Sequence, residues 1–244
     1  MTWFSVNELS KPRMYKICKE ICIFCAFFFC GSWNAYLFAL QEGKAQPETQ
    51  SIDAMIYGVD ISVVSYESDV ISYKAEIDNG KKVSIIEDAR CIRFRNSHPV
   101  SGKITVFVPK NMKVHSLRIY ASDSKVNVEG LVAVYFVVSM CEGSVIVENA
   151  MFKCASFSIA SSNCNLNGEV TSTADFCFSE TQASINLKGK LDDYNFFYPY
   201  EETSSLIISD KKITQKDRFN IDKKKRKRMG ITQSSSTTNL SFVD

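Results

Sequence analysis

Histidine is nearly absent from this 244-residue chain: His98 and His115 are the only two, which leaves little material for imidazole acid–base or metal chemistry. Tryptophan is as scarce, at two residues, and 5 prolines with 10 glycines exclude a collagen-like or Pro/Gly-rich chain. Neither sign of charge dominates. Lys plus Arg number 29 against 27 Asp plus Glu, a formal +2, so no general affinity for polyanions follows. At 45% hydrophobic and 23% charged the composition is that of a globular protein, which excludes wholesale disorder and a multi-span membrane protein.

One absence is local. From Ile21 to Gln41 there is no Asp, Glu, Lys or Arg. About 20 residues at 1.5 Å each span roughly 30 Å, the hydrocarbon thickness of a bilayer. Lys11, Arg13, Lys16 and Lys19 precede the run and polar Gln41, Glu42 and Gly43 follow it, which places the amino end inside and the rest outside. The expected organisation is a cytoplasmic segment (1–20), a membrane helix (21–40), a linker (41–51) and an extracytoplasmic body (52–244). The rival reading is a cleaved signal with Ile21 to Cys30 as its apolar region, giving a secreted protein or a lipoprotein, although Phe29 fits poorly before a lipidated Cys30. A buried core helix is the plainest alternative.

Nine cysteines are present, four of them (Cys18, Cys22, Cys25, Cys30) in or beside the apolar run. Cys22 and Cys25 form a C-x-x-C without a second pair or a neighbouring histidine, so lipid-facing thiols are expected there and not a zinc or redox centre. Cys91, Cys141, Cys154, Cys164 and Cys177 belong to the body. Their spacing fits no metal site, and most are expected as small apolar fillers, with one disulfide left open.

Beyond Gln41 the pattern has period two. Val59, Ile61 and Val63 alternate with Asp60 and Ser62, and Ile104, Val106 and Val108 alternate before Pro109; these are strand signatures. Five segments also align with one another: 126–130 (VNVEG), 145–149 (VIVEN), 164–168 (CNLNG), 185–189 (INLKG) and 206–210 (LIISD), stepping by 19, 19, 21 and 21 residues. Their first and third columns are apolar throughout. The fifth is Gly, Asn, Gly, Gly, Asp, types that tolerate a left-handed corner. Each segment follows a second short strand, such as Phe136-Val137-Val138 or Phe157-Ser158-Ile159, and a polar turn. A repeat this short cannot bury its apolar face alone, so successive coils must stack. The predicted fold is all-β: a β-solenoid, a β-helix-like stack of single coils of about 20 residues, behind the amino-terminal membrane helix. An antiparallel sandwich or barrel is the competing architecture.

The run 57–63 (YGVDISV), the strand 104–109 (ITVFVP), the stretch Leu117 to Gly130 and the coils after it resemble a bacterial family of putative adhesins with β-strand repeats, related to the toastrack envelope domains. The resemblance covers residues 50 to 244 and rests on strand rhythm and turns. It implies an exported, membrane-tethered or surface β-solenoid with no catalytic residues. Family members show a Ser-Gly turn in each coil, from which Asp123-Ser124-Lys125 and Ser161-Ser162-Asn163 depart.

Candidate chemistry is sparse. Glu129 and Glu148 share the fourth column on adjacent coils, but Asn167, Lys188 and Ser209 follow and break any acidic ladder; a solvated face is expected. Asn165 and Asn186, in the second column, read as a short polar ladder. No G-x-S-x-G, H-E-x-x-H or phosphate-cradling glycine loop occurs, so neither an enzyme nor a cofactor is expected. The sharpest charge feature is Lys223, Lys224, Lys225, Arg226, Lys227 and Arg228. With no aromatic residue inside it for base stacking, and in an exported body, it points away from nucleic acid and toward solvent or an anionic surface. The expected function is a structural or binding, adhesin-like role at the cell envelope, with envelope polysaccharide, anionic lipid or protein as partner. The alternative is a sensor or accessory subunit of an envelope-stress system. The closing segment Ile231 to Val243 is expected to cap the stack.

Overall fold

Alternation of apolar and polar side chains runs through the body, and in the computed structural model, which describes residues 38–78, 81–199, 201–214 and 225–243, the alternating runs are strands. In chain order they are β1 (Phe38–Lys44), β2 (Ser51–Tyr57), β3 (Val59–Tyr66), β4 (Ser72–Asp78), β5 (Ser84–Glu87), β6 (Cys91–Arg95), β7 (Gly102–Pro109), β8 (Lys113–Glu129), β9 (Val132–Ser179), β10 (Gln182–Lys188), β11 (Tyr194–Phe197), β12 (Ser205–Ile208), β13 (Lys211–Lys212), β14 (Lys227–Ser234) and β15 (Thr237–Val243). β9 is 48 residues long and would extend to roughly 160 Å if straight. It winds instead, turning at left-handed residues Glu142, Asn149 and Ser161.

From β8 to β10 the winding has a fixed step. Lys113 pairs with Val132, Ser116 with Tyr135, Val126 with Val145 and Asn163 with Gln182, each 19 residues on and all in parallel register. Within β9 the same step brings the Thr171 hydroxyl to the Phe152 carbonyl at 3.4 Å. Parallel pairing between successive coils distinguishes this stack from an antiparallel sandwich and makes the body all-β and solenoid-like. Each coil lays down two long sides. The first face runs β5-β6-β2, then residues 116–122 of β8, then β9, β14 and β11. The second runs β1-β4-β7-β3, then residues 126–129 of β8, then β9, β10, β15, β12 and β13.

Side chains between the faces form one continuous core. All ten residues of the two predicted apolar columns, from Val126 and Val128 to Leu206 and Ile208, are buried. A file of aromatic rings runs through it: Phe136 stacks on Phe152 at 4.4 Å and meets Phe157 edge-on at 5.3 Å, and Phe157 stacks on Phe176 at 5.3 Å. Such pairs are each worth about 0.5–1.5 kcal/mol beyond their burial.

The structure corrects the sequence reading at several points. The third step is 19, not 21: Ile185 lies beside Leu166, and Ala183 beside Cys164. A slip of two residues preserves which side chains face inward, so the apolar columns cannot reveal it. The fifth segment does not follow the fourth in space. β12 pairs with β15, and β15 with β10, so the last coil of the chain is inserted beneath its predecessor. Residues 231–243 are therefore interior to the stack and not its cap, which is formed by β11, β12 and antiparallel β13. The other end repeats the arrangement, with β2 between β6 and β8 and antiparallel β1, β4 and β5 closing the edges. Residues 21–37 of the expected membrane helix lie outside the described residues, as do residues 1–20. Its last three residues belong to β1, which also takes in Gln41–Lys44 of the expected linker. Among the described residues no helix is long and apolar enough to cross a membrane.

Candidate functional site

The corner between the two faces is built the same way in successive coils. Asp123, Glu142, Ser161, Glu180 and Ser235 all have φ between 46° and 59°. The next position is a buried hydroxyl in four of these coils: Ser124, Ser162, Thr181 and Ser236. Each donates to the carbonyl two residues before it, at 2.8, 2.6, 2.8 and 2.7 Å, closing the corner on itself. The hydroxyls also tie coil to coil, since Ser236 Oγ accepts the Thr181 N–H at 3.0 Å. Gly143 takes this place in the remaining coil, with φ 147°, and a Cβ there would overlap the Ser124 carbonyl oxygen. At the second corner Gly130, Asn149, Gly189 and Asp210 are left-handed, as the fifth column predicted. Gly168 is not; its lack of a side chain admits the Ala150 carbonyl.

These corners separate the two faces. On the first, Met55, Tyr120, Cys141, Ser158 and Cys177 line a shallow, mostly apolar groove of about 420 Å³. On the second, three neighbouring strands present a grid. Asn163, Asn165 and Asn167 stand opposite Gln182, Ser184 and Asn186, which stand opposite Thr237, Asn239 and Ser241. All nine point outward, and eight are exposed with Asn186 half-buried. The expected partnership of Asn165 with Asn186 does not form, because Asn165 faces Ser184.

Glu129 and Glu148 do lie side by side on adjacent coils, both exposed. Among the described residues no three His, Cys, Asp or Glu side chains come together to hold a metal. His115 packs edge-on against Tyr135 at 5.6 Å, and His98 is exposed. The body cysteines are all free. Only Cys164 is the buried filler expected of most of them; Cys91 and Cys154 are half-buried, and Cys141 and Cys177 are exposed. Burial pushes the Cys164 thiol up to about 12.

Lys223 and Lys224 fall outside the described residues. Lys225 to Arg228 lead into β14 and lie against β11: Lys227 Nζ stands 5.2 Å over the Tyr194 ring, and the Lys225 carbonyl accepts from Asn195 Nδ2 at 3.3 Å. Arg226 and Arg228 are exposed. The Tyr194 phenol, which donates to the Val170 carbonyl at 3.1 Å, is raised to about 12 by burial, with Asp193 and Glu169 adding to the effect. The described part of the basic run thus divides into Lys225 and Lys227, half-buried beside β11, and two arginines open to solvent.

Comparison with solved structures finds chains that align with 84% of this one. Its structural neighbours are putative adhesins. A putative cell adhesion protein from Clostridium sporogenes ATCC 15579 is 6% identical, covering 84% of this chain and 100% of that one, with a TM-score of 0.43. Putative adhesins from Bacteroides fragilis NCTC 9343 and Parabacteroides distasonis ATCC 8503 are each 10% identical, covering 84% of this chain and 97% of those chains, with TM-scores of 0.38 and 0.40. Likenesses at this level decide neither partner nor activity for this chain. An uncharacterized protein of Treponema pallidum (strain Nichols) is 23% identical over 165 residues, 66% of this chain and 68% of that protein. No family model matches the chain.

The corner hydroxyls and the grid escaped the sequence reading. The former carry a signal, Ser, Ser and Thr at 124, 162 and 181, set 38 and 19 residues apart. The latter became visible only with the 19-residue register of β10 and the placement of β15 beside it.

Proposed function

We propose that this protein is a non-enzymatic structural or binding module of the cell envelope, its β-solenoid body held outside the membrane by the amino-terminal apolar segment. The observation that carries the reading is the repetition of the body. Winding at a 19-residue step from β8 to β10 sets like positions beside one another on two open faces, a surface suited to many weak contacts with an extended partner. The charge pattern around Ile21 to Leu40 supports export with the amino end inside. Arg226 and Arg228, exposed beside β11, supply an anion-facing edge for envelope phosphate or acidic polysaccharide.

Fractionation of the producing cell, followed by an intact-mass measurement of the mature protein, tests this. The expected result is a protein in the membrane fraction with residues 21–40 retained and its body open to protease added from outside. A protein that stays in the soluble cytoplasmic fraction refutes the reading. A cleaved or lipidated amino terminus keeps the envelope role and replaces the anchor.

A further inference from the structure

From the grid on the second face we infer a binding surface for an uncharged polysaccharide. The inference rests on the reading of this chain as a binding module and names the face and the chemical class of its partner. Nine outward positions on three adjacent strands hold five Asn, one Gln, two Ser and one Thr, from Asn163 to Ser241, with no charged and no apolar side chain among them. The surroundings differ. Glu148 and Lys188 are exposed nearby, and the aliphatic Ile207 stands opposite Asn239 on the next strand.

Carboxamides and hydroxyls each both donate and accept, and so do the hydroxyls of a sugar. Among the described residues one hydrogen bond engages these nine side chains, Ser241 Oγ donating to Asn186 Oδ1 at 3.3 Å; the rest of their capacity faces solvent. Strands about 4.8 Å apart and outward residues about 7 Å apart along each strand give a flat lattice of roughly 10 by 14 Å between centres. A polymer that repeats its hydroxyls at short intervals meets several such groups at once. A polyanion or polycation would shed hydration against this patch without an opposite charge to replace it, and an apolar partner would strand the amides unpaired. The charge balance of the grid therefore selects a neutral, polyhydroxylated ligand.

The test uses full-length protein in mild detergent, run in native gels containing mixed-linkage β-glucan and incubated with insoluble cellulose and chitin, with alginate as the anionic comparison. The expected result is retention by at least one neutral polymer, weakened about tenfold or more in N165D/N239D, as loss of two or three hydrogen bonds predicts, and unchanged in S158D on the opposite face. Thermal melting of all three proteins establishes that they are folded alike. Retention by none of the neutral polymers, equal retention of N165D/N239D, or preference for alginate overturns the inference. So does a dimer that N165D/N239D dissolves without any glycan binding, which would assign the grid to a second copy. Failure here with the protein still in the envelope fraction removes the glycan alone, whereas a cytoplasmic protein removes the envelope reading whatever the gels show.

Discussion

A chain ending at Thr214 lacks β14 and β15, and with them the buried Met229, Ile231, Gln233, Thr238 and Leu240. If the chain stacked in sequence order this would clip off an outermost coil and leave the others covered. In the observed order β11 pairs only with β14 among the described residues, and β12 with β15 and the two-residue β13. Truncation therefore strips the cover from Tyr194, Phe196, Leu206 and Ile208, all buried in the intact protein. At about 1.5–3 kcal/mol for each large apolar side chain, roughly 6–12 kcal/mol of burial is lost. The ordering cost of about 1–2 kcal/mol per residue over that coil remains. The coil must open. Amide hydrogen exchange reads this directly: residues 194–208 should exchange at least a thousandfold faster in the truncated protein, each 1.4 kcal/mol counting as a factor of ten. Residues 113–170 should keep their protection. Unchanged protection of 194–208 would mean that this coil can sit directly on β9 and β10, and the inserted order would be refuted.

Further outcomes follow from the core and the corners. Phe157→Ala should cost about 3–5 kcal/mol in urea unfolding, since its ring is 1% exposed between Phe136 and Phe176; the adjacent exposed Ser158→Ala should stay within about 0.5 kcal/mol. Ser162→Ala removes the hydroxyl that closes its corner on the Ala160 carbonyl and should cost about 1 kcal/mol by the same measurement. Gly143→Ala should cost about 1–3 kcal/mol, because φ is 147° and the added carbon meets the Ser124 carbonyl. Alkaline stability should decline early. The buried Cys164 thiol and Tyr194 phenol, raised to about 12 from 9.0 and 10.0, keep protons that the unfolded chain releases. Their contribution is thus complete below pH 9 and lost progressively from about 9 to 12. Melting temperature against pH should show this fall, and C164V/Y194F should flatten it; an identical fall in the double variant would count against the assignment.

How far the sequence carries can be judged at particular residues. The apolar columns from Val126 to Ile208 were legible because burial follows the two-residue period of a strand, which single residues report directly. The left-handed corners at Gly130, Asn149, Gly189 and Asp210 were legible because few residue types accept that backbone. Gly168 shows the limit. It has the same identity for another reason, close approach of the Ala150 carbonyl, and aligning it with Gly189 moved the fourth segment by two residues. That displacement hid the grid, whose rows exist only when Asn165 faces Ser184. Insertion of β14 and β15 beneath β11 and β12 has no local signature, because either order buries the same apolar faces. The strand β1 was masked by composition: the sequence assigned Phe38-Ala39-Leu40 to a membrane helix, and their antiparallel pairing with Glu76, Ile77 and Asp78 depends on residues distant in the chain.

The place of β15 has a consequence for local opening. A stack of coils opens most easily at its outermost members, which have a neighbour on one flank only. Here the final strand, through Val243, is clamped on one flank by β10 along its whole length and on the other by β12 over its first half. Freeing Thr237 to Leu240 requires lifting β12, a strand that precedes them in the chain. Opening of the stack at this pole should therefore begin in β11 and β12, which lie outermost, and reach β14 and β15 only afterwards.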